Sequence, residues 1–151
     1  MLIIKQGNVL EATENIICHQ VNEHKIMGGG LALQIARLYP KVEEEYIKYC
    51  DSFNEKNKDV YGEWQICQAK GEQFIFNCFT QQHFITRYDL VKKVFKQIKL
   101  YCKQRDLSIC IPYKYGCGIA NGEWEQVESI LLDIFDDYDI SVYRLEDNNE
   151  R

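Results

Sequence analysis

The segment Cys18–Ala32, CHQVNEHKIMGGGLA, decides how we interpret this chain. It begins at the end of an apolar run and becomes polar at His19. It then reaches three consecutive glycines and continues directly into a helical pattern, Leu31–Tyr39. Glycines let a backbone approach an anion closely and present its N–H groups, and a helix N-terminus adds unpaired donors and a favourable dipole. A glycine run also occurs as a plain turn, but the order strand, glycine loop, helix predicts a phosphate-binding site.

A second glycine loop, Tyr115–Gly122 (YGCGIANG), strengthens that prediction. It follows an apolar strand pattern, Ser108–Pro112, and precedes a helical pattern, Glu123–Phe135. Open α/β sheets bind ligands at the carboxyl ends of their strands. We therefore expect the two loops to clamp two phosphates from opposite sides.

Composition and charge bound the class of protein. The 151 residues are 46% hydrophobic, which predicts one globular domain, 1–145, followed by a polar tail, 146–151. The net charge of −5 argues against a general nucleic-acid surface, and no long apolar span predicts membrane insertion. We expect a monomer that binds neither nucleic acid nor membrane directly.

The seven cysteines are scattered, odd in number and without a Cys-x-x-Cys pair. This pattern favours a reducing cytosol over a disulfide framework, and so predicts a cytoplasmic protein. The three histidines form no metal-ligand spacing with the cysteines. We therefore expect neither a metal site nor a cofactor, and we expect His24 and His83 to be surface residues.

Hydrophobic periodicity predicts alternating strands and helices, with one hairpin at Lys70–Glu72 and a plain loop at Thr80–Arg87. Three nearly continuous apolar runs predict the central strands; they are Asn15–Val21, Phe74–Phe79 and Leu107–Ile111. The remaining predicted strands are Leu2–Lys5, Glu63–Ala69 and Ile140–Leu145, and the remaining predicted helices are Lys41–Phe53 and Tyr88–Arg105. The predicted fold class is α/β, a mixed and mostly parallel sheet between layers of helices.

These motifs resemble those of the macrodomain family, the ADP-ribose-binding module, over nearly the whole chain. Gln6–Val9 resembles the opening turn of the family. His19–Gly30 resembles its segment in which a ribose-binding asparagine precedes three glycines at a fixed distance, and Asn22 falls on that asparagine. Ile111–Pro112 and Gly116–Trp124 resemble its second phosphate loop. The resemblance implies a three-layer α/β/α fold.

Two branches of the family are most similar. Ala32–Pro40 resembles the yeast-type ADP-ribose 1''-phosphate phosphatases. The second branch comprises the terminal ADP-ribose protein glycohydrolases, which use a lysine after the central strand and an aspartate in the second loop. Those positions hold Gln81 and Ala120 here, so neither a lysine–sugar adduct nor an aspartate base is available.

The resemblance implies a substrate site for ADP-ribose or an ADP-ribosylated protein. The adenine end is expected near Asn8 and Val9, although Asn8 also suits a plain turn. The diphosphate is expected between the loops and the distal ribose at Asn22, with Phe79 or Tyr115 as an apolar wall unless these rings simply pack in the core. The expected substrate-binding residues are Asn8, Val9, Gly28, Gly29, Gly30, Leu31, Phe79, Tyr115, Gly116, Cys117, Gly118, Ile119 and Ala120.

His19 and Asn22 are the candidate catalytic residues. A histidine beside the distal ribose could transfer a proton near neutral pH, or could be hydrogen-bonded so that it holds Asn22 in place. For Cys117, whose position in the family is commonly a small residue, packing is favoured over a nucleophilic role.

Three functions follow. The favoured one is a hydrolase acting at the distal ribose C1'', on modified protein side chains or on ADP-ribose 1''-phosphate. The alternative is a reader that binds ADP-ribose without turnover. A Rossmann-type dinucleotide protein is less well supported, because the first loop lacks the Gly-x-Gly-x-x-Gly spacing and no acid follows at the expected distance.

Overall fold

The computed structural model describes residues 1–145. The predicted tail, 146–151, lies outside this range. Within residues 1–145, eight strands, four α-helices and one short 3-10 turn follow one another. They are β1 Leu2–Gln6, the 3-10 turn Val9–Glu11, β2 Ile16–Gln20, α1 Gly30–Leu38, α2 Pro40–Glu55, β3 Trp64–Lys70, β4 Gln73–Cys78, β5 Gln81–Gln82, β6 Ile85–Thr86, α3 Tyr88–Arg105, β7 Ile109–Pro112, α4 Trp124–Ile134 and β8 Ile140–Arg144.

Six strands form one sheet in the order β1-β8-β7-β2-β4-β3. All neighbours are parallel except β3 and β4, which form the predicted hairpin. The three predicted central strands, β2, β4 and β7, all lie in the interior of the sheet, as their continuous apolar runs require. The predicted α/β fold class is confirmed.

Side chains alternate between the two faces of β2 and so separate two cores. Ile17 packs with α1 and α2, whereas Cys18 packs with α3 and α4. The helices therefore form one layer on each side of the sheet, as the three-layer arrangement predicts.

The segment Thr80–Arg87 is not the plain loop that the sequence predicted. Gln81 and Gln82 pair antiparallel with Thr86 and Ile85 to form a two-residue hairpin, separate from the main sheet. Its tip residues, His83 and Phe84, have φ angles of 49° and 65° in the left-handed region, where no glycine marks a turn. The sequence therefore carried no usual hairpin signal.

Candidate functional site

The two glycine loops leave the sheet at the same edge. β2 runs into the first loop and β7 into the second, and these strands are parallel neighbours. The loops also approach each other, because a Cβ atom built on Gly29 would lie 3.1 Å from Cδ1 of Ile119. Ile119 is 77% exposed and spans the gap between the loops. The geometry therefore brings together two segments that are about 90 residues apart in the sequence.

Both loops carry backbone N–H groups that are free to bind a ligand. Within residues 1–145, Gly28 and Gly29 donate to no backbone carbonyl, and neither do Gly118, Ile119 and Ala120. The first N–H groups of α1 also lack partners within the helix. Free donors from two loops and a helix N-terminus form a cradle suited to an anion.

The second loop is held by the β5–β6 hairpin. The Thr86 hydroxyl donates to the Gly116 carbonyl at 2.6 Å, and the Thr86 N–H donates to the Ala120 carbonyl at 3.1 Å. Gly116 has a φ of +73°, and a Cβ there would lie 3.0 Å from the Thr86 hydroxyl oxygen. Only glycine fits this position, because both the backbone conformation and the close approach exclude a side chain.

A chain of hydrogen bonds continues from Thr86 into the buried end of the sheet. The Tyr115 hydroxyl lies 2.7 Å from the Thr80 hydroxyl, which donates to the Gln20 side-chain oxygen at 2.6 Å. The Gln20 amide in turn donates to the Thr86 hydroxyl at 3.0 Å. The network links the ends of β2 and β4, through Gln20 and Thr80, to the hairpin at Thr86 and to the second loop at Tyr115. These segments are therefore positioned together.

Asn22 is held by its own loop and by α2. Its Oδ1 accepts from the His24 N–H at 2.8 Å, and its Nδ2 donates to the Ile26 carbonyl at 2.8 Å. The single hydrogen of the Tyr46 hydroxyl is shared between Oδ1 at 2.8 Å and the Asn22 backbone carbonyl at 2.7 Å. An amide nitrogen has two N–H donors. One donor of the half-buried Asn22 side chain therefore stays available, in an orientation fixed by three hydrogen bonds.

His19 is buried within β2 and does not lie in the first glycine loop. It is 2% exposed, and its Nε2 lies 2.6 Å from Oδ1 of Asn77, its register partner on β4. Asn77 uses its amide nitrogen to donate to Gln65, so its oxygen accepts and His19 Nε2 carries the proton. Nδ1 has no partner among the described residues. The histidine does not hold Asn22 in place, because it contacts Asn77 instead.

Burial lowers the pKa of His19 to about 4, against an opposing contribution from the Asn77 hydrogen bond. The imidazole is therefore neutral near pH 7. It has no proton to donate as an imidazolium, and it can act only by accepting at Nδ1.

Phe79 and Tyr115 lie in the core. Each is 1% exposed; Phe79 stacks on Tyr46 and Tyr49, and Tyr115 packs edge-on against Phe95. Core packing and, for Tyr115, the hydrogen bond to Thr80 account for both aromatic residues, so that neither ring is exposed as a wall for a ribose.

Cys117 is half-buried, and its thiol donates to the Tyr115 carbonyl at 3.3 Å. Burial raises the pKa of the thiol, and Lys114 opposes this only partly. The geometry matches the packing role that the sequence favoured.

At the expected adenine end, the Asn8 side chain caps the 3-10 turn. Its Oδ1 accepts from the Leu10 N–H at 2.9 Å, and Val9 is buried. This is the turn role that the sequence left open, and it leaves the Asn8 amide nitrogen free for a ligand.

Sequence reasoning missed several residues that shape the site. Tyr46 lies in the predicted helix Lys41–Phe53 and was assigned no role at the site, yet its hydroxyl contacts Asn22. A tyrosine instead of a phenylalanine in an apolar stripe was the available signal, because a buried hydroxyl needs a partner. The threonines Thr80 and Thr86 gave no signal, since their partners are remote in sequence.

Comparison with known proteins identifies the class. The Macro domain family profile matches residues 18–131, and the chain therefore belongs to the Macro domain family. The chain is 28% identical over 158 residues to the DNA ADP-ribosyl glycohydrolase of Thermus aquaticus, covering 98% of this chain but only 42% of that protein. It is 29% identical over 140 residues to the ADP-ribose 1''-phosphate phosphatase of Candida albicans, covering 85% and 86% of the two chains.

Solved structures agree on the fold. The macrodomain of Mycobacterium tuberculosis DarG superimposes with a TM-score of 0.81 at 24% identity, covering 95% of this chain and 97% of that one. The predicted resemblance to macrodomains is thereby confirmed. No helix within residues 1–145 is long and apolar enough to cross a membrane.

Proposed function

We propose that the protein binds ADP-ribose between its two glycine loops and hydrolyses the bond at the distal ribose C1''. The observation that carries the proposal is the close approach of Gly29 to Ile119, because it brings together two loops that each have free N–H donors. A diphosphate has anionic oxygens on both of its phosphates and would accept from both sets. The net charge of −5 does not oppose this, since the donors are backbone groups.

Asn22 would position the distal ribose. Its Oδ1 already contacts the His24 N–H and the Tyr46 hydroxyl, so the free Nδ2 hydrogen is the group that we assign to a ribose hydroxyl oxygen. The hydroxyl of Tyr46, on α2, contacts Asn22 and helps to fix the direction of that donor. A sugar held in one orientation exposes one face of C1'' to an incoming water molecule. Asn22 would contribute to catalysis by this positioning.

His19 is the second residue that we assign to catalysis, and its environment limits the role. Because the ring is neutral near pH 7, its contribution is to accept a proton or a hydrogen bond at Nδ1. The buried Gln81 and Ala120 supply neither a nucleophile nor a base. The proposal is therefore direct attack by water on C1'', with no covalent sugar–enzyme intermediate.

The names of the relatives support hydrolysis and widen the range of substrates. They include a DNA ADP-ribosyl glycohydrolase and ADP-ribose 1''-phosphate phosphatases. The substrate class is therefore an ADP-ribose whose C1'' carries a phosphate, a protein side chain or a DNA base. Absence of direct nucleic-acid binding stays a prediction, which the third of these substrates would test.

One experiment tests the proposal in two stages. Calorimetry with ADP-ribose, and with AMP as a control lacking the second phosphate and ribose, measures binding. We expect heat with ADP-ribose and much weaker binding of AMP. The protein is then incubated with ADP-ribose 1''-phosphate, glutamate-ADP-ribosylated protein and ADP-ribosylated DNA, and released phosphate and ADP-ribose are quantified.

Release from at least one substrate is the expected result. Binding without release from any of the three would support the second candidate, a reader of ADP-ribose, which the residues at Gln81 and Ala120 favour. Absence of ADP-ribose binding would contradict both.

A further inference from the structure

Three potential metal ligands meet beside Asn22, where the sequence had predicted no metal site. Glu23 and His24 follow Asn22 directly, and His83 lies at the tip of the β5–β6 hairpin, 60 residues after Glu23. One ligand atom from each residue lies within 4.8 Å of the others. Nothing in the sequence indicated this cluster, because the histidines have no ligand spacing with the cysteines and the hairpin that brings His83 beside Glu23 was not predicted.

The spacing between these atoms suits one coordinated ion. Oε2 of Glu23 lies 3.6 Å from Nε2 of His24 and 3.5 Å from Nδ1 of His83. Ligands bound at about 2.05 Å to a tetrahedral zinc ion are separated by about 3.3 Å. These separations are long for hydrogen bonds but close to the edges of a coordination tetrahedron.

Two atoms of the cluster have no hydrogen-bond partner among the described residues. They are Oε1 of Glu23 and Nε2 of His24, and both are shielded from solvent. Buried polar atoms are rarely left without a partner, and such exceptions call for an explanation such as an ion or a water molecule. A metal ion would use the lone pair of the imidazole nitrogen and those of Oε1, the free oxygen of the same carboxylate whose Oε2 defines the distances above.

Surrounding contacts hold the three side chains in place. The Tyr61 hydroxyl and the His83 N–H donate to Oε2 of Glu23 at 2.8 and 2.9 Å, and so orient the carboxylate. The His24 ring lies against Phe84, with 4.7 Å between ring centroids, and its centroid is 5.5 Å from that of His83. Hydrogen bonds from outer residues to ligating groups are the usual support of a metal site.

We propose that Glu23, His24 and His83 bind one divalent transition-metal ion, for which Zn²⁺ is the best fit. Two imidazoles and one carboxylate match the ligand preferences of zinc rather than those of Mg²⁺ or Ca²⁺. Three protein ligands leave a fourth position for water or substrate, and His83, with 69% of its side chain exposed, borders solvent. The ion would tie the Asn22 loop to the hairpin that holds the second glycine loop.

The location next to Asn22 gives the site a role that rests on the function proposed above. If the distal ribose binds at Asn22, the ion would lie near that ribose, because Glu23 and His24 follow Asn22 directly. A phosphate or carboxyl oxygen of the C1'' substituent would then be the substrate ligand. Metal binding itself does not depend on this role.

The test uses tag-free protein that has been treated with a chelator and then titrated with Zn²⁺ by calorimetry. We expect one equivalent to bind. Co²⁺ should give the visible bands of a tetrahedral site without the thiolate charge-transfer band that cysteine ligands would produce. The absence of that band distinguishes the proposed site from the seven thiols.

Two variants locate the site. Glu23→Gln removes the charged ligand, and His83→Phe keeps an aromatic ring beside His24 while removing the nitrogen. Each should weaken Zn²⁺ binding at least about tenfold, because losing a ligand costs no less than losing an outer-shell partner. Asp51→Asn is the matched control, since it removes a carboxylate that pairs with Lys25 in an exposed ion pair, and it should leave the affinity unchanged.

The proposal would be overturned if the protein bound no stoichiometric Zn²⁺, or if both variants left the Zn²⁺ affinity unchanged. Glu23, His24 and His83 would then form only an ion-pair cluster. Calorimetry with ADP-ribose on the chelator-treated protein separates this from the proposed function. Zinc binding without ADP-ribose binding would refute only the proposed function, and ADP-ribose binding without zinc binding would refute only the metal site.

Discussion

The two glycine loops sit at the same edge of the sheet but are held in different ways. The first is fixed from below by Tyr46 of α2, whose hydroxyl contacts Asn22 and accepts from the Ile26 N–H at 3.1 Å. The second is fixed from the side by Thr86 of the β5–β6 hairpin, which bonds the carbonyls of Gly116 and Ala120.

We therefore expect the two loops to have different tasks in binding and turnover. The first loop presents the side chain to which we assign the ribose, Asn22, and the Tyr46 hydroxyl is a contact from outside the loop that holds it. The second loop presents backbone donors only, and its shape depends on a hairpin near the surface. Changes around Tyr46 should therefore affect the ribose end and turnover, whereas changes around Thr86 should affect binding of the diphosphate.

Gly29→Glu should have the largest effect, because it removes the gap that the two loops share. The new side chain would start 3.1 Å from Ile119 and place a carboxylate where the phosphates are expected. Repulsion between like charges should weaken ADP-ribose binding by at least about 100-fold, equivalent to about 2.7 kcal/mol. Calorimetry measures the loss, and an unchanged circular dichroism spectrum shows that the fold is kept. Affinity within a few-fold of the parent would place the phosphates elsewhere.

Tyr46→Phe should break the first loop while leaving the second intact. It removes the acceptor of the Ile26 N–H and the hydroxyl hydrogen that the carbonyl oxygen and Oδ1 of Asn22 share. Unpaired groups at this partly buried position should cost about 1–3 kcal/mol of unfolding free energy, measured in urea. Turnover should fall by about 10- to 100-fold, since small displacements of positioning groups are costly.

Thr86→Val is the matched control for that prediction, because it removes the hairpin hydroxyl that donates to the second loop and keeps the branched shape of the side chain. It should raise the Kd for ADP-ribose more than it lowers kcat. If the two variants change Kd and kcat in the same proportion, the division of tasks between the loops is wrong.

His19→Gln should change how stability depends on pH. The pKa of His19 is about 4 in the folded protein, against 6.5 for a histidine side chain free in water. The unfolded chain therefore binds the proton more readily, so that the folded state loses stability as the pH falls below about 6.5, until the loss levels off near pH 4. Between pH 7 and 5 this amounts to about 2 kcal/mol.

Glutamine at position 19 can still donate to Asn77 but does not titrate. Urea unfolding of both proteins at pH 7 and pH 5 provides the measurement, and the difference between them isolates His19 from the carboxyl groups and the other histidines. An equal loss of stability in both proteins would mean that the ring is protonated or solvated in the folded state.

The sequence predicted well those parts of the molecule that depend on local pattern. Continuous apolar runs located the central strands, and glycine clusters located both loops, because each signal lies within about ten residues. It missed what depends on remote partners. The β5–β6 hairpin has two residues per strand and a tip of His83 and Phe84, which offers no glycine or proline.

The missed features of the site have the same cause. Burial of His19 follows from its pairing with Asn77 across the sheet, and a residue at the end of a strand gives no sign of how deep it lies. Glu23 and His83 become neighbours only through the hairpin. Motifs therefore identified two segments that the fold brings to one edge of the sheet, but they could not determine which of the side chains in those segments are buried.

Cys117→Ser should have the smallest effect, and it tests whether the second loop contributes only its backbone. The thiol donates to the Tyr115 carbonyl, and its pKa is raised, so that it is mostly protonated near pH 7 and weakly nucleophilic. Serine can keep the same hydrogen bond, so turnover should stay within about twofold of the parent, a change of under 0.5 kcal/mol.

Iodoacetamide should modify native Cys117 more slowly than the same residue in urea, as followed by mass spectrometry. The other six cysteines are buried, so that labelling of the native protein reports on this thiol. A loss of turnover above tenfold in the serine variant, together with rapid labelling that ADP-ribose prevents, would make the thiol a participant in the reaction and would end the description of the second loop as a purely backbone cradle.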